Sequence, residues 1–384
     1  MKLKMIGPIL ALLLLLACVP FNPGPGWAAT FSRITTIQVP GQPLKSFDIS
    51  WVDRASQQYY LADRSNKAVD IFNAKDSTFI GRVEGFVGSS TSNDTAGPNG
   101  LVVIRQLHQL WAGDGDSTVK VIDLKANPPK IIDTISTGGA ARADEMAFDP
   151  RDHMILVAND ADSPPFVSFI STKSDHKVLG KILFPEATNG LEQPVWDPVT
   201  HRFYLSVPEI NGVKADGEIA VIDPRTMKIT DTFPVNQCQP AGLTLGPHQH
   251  LLVGCSQDAV NAGFPAKSLI LDARTGDIVA TVTQVGGSDQ VWFNPGDGNY
   301  YLAARGNPGG PVLGIIDAET NTWIENLPTA PNAHSVAANP INNHVFVPLT
   351  PLPKDPACVN GCIGVYGANE RGKGKAEEEA EEEE

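Results

Sequence analysis

A chain of 384 residues with 42% hydrophobic and 19% charged side chains can bury a sizeable core in one large domain or two. Its 35 glycines and 31 prolines follow no collagen-like period, which excludes a fibrous repeat and suits many short strands joined by tight turns. The formal net charge is −14, about half of it from a terminal glutamate run, and no basic stripe is visible, so nucleic acid is excluded as a partner.

The N-terminus carries Lys2 and Lys4 and then an apolar run to Cys18 that is too short and one-sided to span a membrane. Residues 1–29 therefore read as an export signal. Leu15-Leu16-Ala17-Cys18 resembles a lipoprotein box, which would anchor the chain to the envelope by a lipid on Cys18. Cleavage near Ala28 or Ala29 would instead release a soluble periplasmic or secreted protein. Either route leads to an oxidising compartment, and four cysteines lie beyond the signal. Cys358 and Cys362, in CVNGC, either close a small loop or form a metal or redox pair, and Cys238 can meet Cys255. No histidine follows the pair in the haem-attachment pattern, so haem is not expected.

Residues 30–369 repeat. FDISWVD (47–53), NGLVVIR (99–105), DEMAFDP (144–150), EQPVWDP (192–198), AGLTLGP (241–247), DQVWFNP (289–295) and HSVAANP (334–340) recur every 45 to 52 residues. Each is followed by a turn and two further strand-like runs, and six units add a fourth, such as ITDTFPV (229–235). Alternating β-branched and aromatic residues between Asp, Pro and Gly turns make antiparallel strands, and four at this period make a propeller blade. The seventh unit lacks its fourth strand, while RITTIQV (33–39) is spare at the other end. The predicted fold is all-β: a seven-bladed propeller of four antiparallel strands per blade, closed by the N-terminal strand so that no sheet edge is left open. The last stretch, 370–384, is an acidic tail with nothing apolar to bury.

With LADRSNKAVDIF and AGDGDSTVKVIDL, the sequence resembles the YVTN-type family of exported seven-bladed propellers across nearly the whole mature chain. Such propellers include enzymes, binding proteins and scaffolds, so the resemblance implies the fold more than the chemistry.

The first strand of each blade lines the central channel, and the residue before it stands at one mouth. That column reads Phe47, Asn99, Asp144, Glu192, Ala241, Asp289 and His334, of which five are potential metal ligands. Converging carboxylates raise one another's pKa unless a cation, an arginine or a proton offsets them. Carboxylate and amide oxygens favour a divalent metal, calcium above all, while His334 leaves room for zinc or another transition metal. The same polar residues also suit a water-filled channel or the capping of strand ends.

EQPVWDP is similar to the Glu-Gly-Pro-x-Trp element of the gluconolactonase and senescence-marker-protein family, and PNGL (98–101) to its Pro-Asn-Gly-Leu. The resemblance implies Glu192 and Asn99 as metal ligands, with Asp144 or Asp289 supplying the aspartate. The Glu motif falls in the fourth of seven blades, whereas that family has it near the start of a six-bladed ring, and Gln193 replaces its glycine. On this reading the metal polarises a lactone or ester carbonyl, and Asp289 or Asp144 is the catalytic base that activates water. Arg64 and Arg305 end the second strands of their blades at the same mouth, where they either hold a substrate carboxylate or neutralise acids such as Asp63.

Long loops in blades four, five and seven (VPEINGVKADGE, CSQDAVNAGFPAK and PLTPLPKDPACVNGC) are candidates for a lid or a partner surface. DGD (114–116) lacks the later ligands of a calcium loop and reads as a turn. Two functions follow. One is a monomeric exported propeller that binds a small molecule, a metal or an envelope protein, touching membrane only through a lipid on Cys18. The other is a metal-dependent lactonase or esterase using the same ring.

Overall fold

The computed structural model describes residues 30–369, so the expected export signal, Cys18 and the expected acidic tail lie outside the described residues. Phe31–Ala368 form one ring of seven sheets, each of four antiparallel strands. The innermost strands are Ser50–Asp53, Leu101–Ile104, Met146–Asp149, Pro194–Asp197, Pro240–Leu245, Val291–Asn294 and Ala337–Asn339. The N-terminal strand, Phe31–Gln38, closes the ring: it pairs antiparallel with Cys362–Ala368, setting Ile37 opposite Ile363. The α-helical content of the described residues is one turn-and-a-bit, Gln257–Asn261.

Turn chemistry fixes where five of the seven innermost strands stop. The Asp53 carboxylate accepts from the backbone N–H of Ala55 and Ser56, Asp149 from Arg151 and Asp152, and Asp197 from Val199. Asn294 and Asn339 do the same for Gly296 and Ile341. These are Asx turns, in which a short polar side chain satisfies N–H groups that the ladder no longer reaches.

Seven apolar clusters hold the ring together, each built from two adjacent blades. Phe169 of blade three meets Phe203 of blade four at 6.4 Å, and Tyr59 of blade one stacks on Phe346 of blade seven at 4.9 Å. Full burial of such a ring contributes about 1.5–3 kcal/mol, so every blade depends on both neighbours. Because blade seven packs on blade one as the others pack on theirs, the channel is held at a fixed width and the residues at its mouth face each other across it.

Cys238 bonds to Cys255, and Cys358 to Cys362. Both bridges are compatible with an oxidising compartment. Among the described residues no helix is long and apolar enough to cross a membrane.

Candidate cation site in the central channel

Backbone register defines the ring at the mouth. In blade three the Asp144 N–H donates to Ala158 O and the Ala158 N–H to Glu145 O; in blade four Glu192, Ser206 and Gln193 repeat the pattern. In blade one the pattern runs through Asp48, Ala62 and Ile49, so the position belongs to Asp48 and not to Phe47. The correction has a simple cause: the turn aspartate Asp53 matches Asp149 and Asp197 only when FDISWVD is shifted by one residue. Phe47 is buried and stacks flat on the His334 ring at 4.8 Å. The ring is thus Asp48, Asn99, Asp144, Glu192, Ala241, Asp289 and His334.

Above it opens a cavity of about 1020 Å³, lined by nine acidic side chains and three arginines. The arginines decide which acids remain uncompensated. Arg64, 4% exposed, pairs with Asp48, donates to Asn99 Oδ1 from Nε and Nη2 at 3.1 and 2.7 Å, and reaches Asn93 Oδ1 at 2.8 Å. Asn99 is wholly buried, with its oxygen held by Arg64 and its amide nitrogen donating to Ala143 O. His334 hydrogen-bonds Asn332 O through Nδ1, and its Nε2 lies 3.6 Å from Asp48. Burial acts against ionisation of Asp48, yet Arg64 and His334 hold it well below the usual carboxylate range. Arg64 therefore neutralises Asp48, whereas Asp63 takes hydrogen bonds from Asn66.

Arg142 serves two buried carboxylates, Asp144 at 2.7 Å and Asp160 at 2.6 Å. One guanidinium cannot fully offset both: burial, with repulsion from Asp160 and Asp48 on Asp144 and from Asp48 on Asp160, keeps each above its ordinary range. Arg305 lies 2.8 Å from Asp289 but is less enclosed: its side chain is 31% exposed and its Nε has no partner.

Three acids remain close together. Glu145, Glu192 and Asp289 each offer an oxygen within 4.8 Å of the others, and among the described residues no hydrogen bond or ion pair reaches the carboxylate of Glu145 or Glu192. Three oxygens so spaced leave room for an ion at no more than about 2.8 Å from each when evenly placed, a limit that admits the ~2.3–2.6 Å of calcium and also the ~2.0–2.1 Å of magnesium or zinc. Burial, then Asp144, Glu192 and Asp289, push Glu145 well above its ordinary value; burial, Asp289 and Asp144 do the same to Glu192. A cation between them would reverse both shifts.

Two of the five expected ligands, Glu192 and Asp289, fall in this trio. Asp144 sits beside it on Arg142, and Asn99 and His334 belong to the Arg64–Asp48 group. The third member, Glu145, is missed by reading one residue per blade, although the sequence holds its signal. The position after the ring residue carries amides in blades four and six. Gln193 Oε1 accepts from the N–H of Leu243 in the next blade, and Gln290 Oε1 from Val336. Glu145 is the equivalent residue in blade three, and its equivalent donor is Pro194, which has no N–H. A carboxylate replaces the amide where its partner is missing, and it lines the channel instead.

The long loops contribute little to this cavity. Asp258, from the blade-five loop, reaches it; most of its remaining wall comes from residues 160–165, 185–190 and 93–94. Asp114 of DGD is bound to Lys120 and to its own turn at Gly115.

No family model matches this sequence, and no curated protein matches it. Among solved structures, the chain is similar to one in the crystal structure of a Mitotic Checkpoint Complex, at 12% identity and a TM-score of 0.66, with 94% of this chain and 99% of that one covered. At that identity the likeness shows the propeller fold alone.

Proposed function

We propose that this propeller is an exported binding protein whose channel mouth holds a divalent cation, calcium first, between Glu145, Glu192 and Asp289. One observation carries the reading: three carboxylates from blades three, four and six converge to within 4.8 Å, and two of them have no donor or counter-ion. A hard dication supplies the missing charge and takes oxygen ligands at close to this spacing. Isothermal titration of metal-stripped protein with CaCl2 and ZnCl2 tests it. Calcium is expected to bind at one site, and Glu145→Gln to weaken it at least tenfold; unchanged affinity in that variant moves the metal elsewhere.

A second reading is favoured by Arg305, whose side chain is 31% exposed beside Asp289 and lines the open cavity. A bound cation would polarise a lactone or ester carbonyl, and Arg305 would hold the substrate's carboxylate by paired hydrogen bonds. Asp289 is the better base of the two considered, since Asp144 shares Arg142 with Asp160. Turnover on a lactone panel that is lost in Asp289→Asn would favour this hydrolase over the binder. Kinship with YVTN-type exported propellers is part of the same proposal, supported by the seven-bladed ring and by two disulfides of the kind an exported protein keeps.

A further inference from the structure

The channel has a second chamber below the acidic mouth, of about 510 Å³, and its chemistry is opposite. Its wall is made by the innermost strands, with Trp51, Trp196, Trp292, Phe148 and Phe293 among the lining. Trp51 and Trp292 meet edge to face at 5.2 Å. The chamber opens on the far side of the ring, where the strands end at Pro150 and Pro198. Among the described residues, two charged side chains line it. Arg105 stands at the rim and is paired with Asp53 at 3.0 Å. Glu145 stands at the inner end, 5% exposed and with no hydrogen bond or ion pair to its carboxylate, and among the described residues it is the one that lines both chambers.

We propose that this lower chamber binds an organic cation, an ammonium carried on an aromatic or aliphatic body, with the ammonium against Glu145 and the body among Trp51, Trp196 and Trp292. An anionic ligand would meet Glu145 with no free positive charge to offset it, because Arg105 is already engaged. A neutral apolar ligand would fill the wall but leave the Glu145 carboxylate buried without a partner. An ammonium satisfies both ends, since aromatic faces attract cations as well as apolar surface. The volume falls within the range of small-molecule sites, about 300–1,000 Å³. The inference shares Glu145 with the metal reading but needs neither Glu192 nor Asp289 as a ligand.

Three probes of one shape test it: phenethylammonium chloride, 2-phenylethanol and sodium phenylacetate, each titrated into metal-stripped protein and followed by tryptophan fluorescence and calorimetry. The ammonium is expected to bind at least tenfold more tightly than the alcohol, with the carboxylate weakest. Glu145→Gln should bring ammonium and alcohol to within about threefold, while Trp292→Ala should weaken both together and keep their ratio. Equal binding of ammonium and alcohol by the parent, or an ammonium preference that survives Glu145→Gln, overturns the proposal. Calcium binding without ammonium binding sinks this inference and leaves the metal reading standing; ammonium binding without calcium does the reverse.

Discussion

Glu192→Gln removes one charge from the carboxylate trio and keeps the side chain's shape, so its effect on stability separates repulsion from packing. At an effective dielectric of about 20, two unit charges no more than 4.8 Å apart repel by about 3.5 kcal/mol or more. Glu192 has two such neighbours, Glu145 and Asp289, giving about 7 kcal/mol if all three ionise. The folded chain escapes part of this by keeping a proton, and its carboxyl lies well above the ordinary 4.5. Holding that proton at pH 8 costs about 5 kcal/mol, which caps the penalty. The sign follows from linkage: the unfolded chain releases the proton near pH 4.5 and the folded chain holds it, so metal-free stability falls as pH rises above that value. Glu192→Gln should therefore melt with the parent at pH 4.5–5 and be about 2–5 kcal/mol more stable at pH 8, or roughly 3–7 °C for a ring of this size. Thermal melts in EDTA between pH 5 and 8, repeated with CaCl2, read both effects: calcium should restore the parent at pH 8 and do little for the variant. A variant that melts below the parent at pH 8 in EDTA, or equal calcium stabilisation of the two, would refute the reasoning.

Two further outcomes rest on other parts of the ring. Asp70 and Asp63 are both fully buried in blade one, where Arg82 pairs with Asp70 at 2.9 Å. Burial and Asp63 push Asp70 up to about 9, so the folded chain carries a proton there that the unfolded chain loses near pH 4, and stability declines from that point towards pH 9. Asp70→Asn should flatten this decline and raise the melting temperature at pH 8 more than at pH 5; a lower melting temperature at pH 8 would show that the ionised form is the one the fold needs. The disulfides differ in loop length, 17 residues for Cys238–Cys255 and 4 for Cys358–Cys362, and chain entropy assigns them about 3 and about 2 kcal/mol. Paired Cys→Ala replacements compared by urea unfolding should give that order, and the reverse order would place their contribution in native packing.

The ring was legible in the sequence because the blades repeat one physical sentence: an apolar inner strand, a turn marked by Asp or Asn in five of the seven, and two more strands that bury both faces. Asp149, Asp197 and Asn294 mark the turn in the sequence and cap it in space. Closure was legible too, since an orphan fourth strand and an incomplete seventh blade have one mutual solution, seen in Phe31–Gln38 against Cys362–Ala368. The site was less so. Column reading finds residues at equivalent backbone positions, and it placed Asn99, Asp144 and His334 at the mouth beside Glu192 and Asp289. It could not tell which acids an arginine would hold, because Arg64 comes from the second strand of its own blade and Arg142 from the connection before blade three, and neither belongs to the column.

What sets blade three apart from blades four and six is a pair of residues, Glu145 and Pro194. Blades four and six tie their inner strands to the next blade through Gln193 and Gln290, while blade three offers a glutamate opposite a proline. Restoring the tie needs two changes, because Glu145→Gln alone still faces Pro194. Glu145→Gln with Pro194→Leu would recreate the Gln193–Leu243 pair one blade earlier, drawing the side chain out of the channel and adding a buried hydrogen bond between blades worth about 1 kcal/mol. The natural sequence gives up that bond, and its carboxylate lies unpaired between a charged chamber and an aromatic one. Ionising that carboxylate without a partner is unfavourable, which is why burial and its acidic neighbours hold it towards the protonated form.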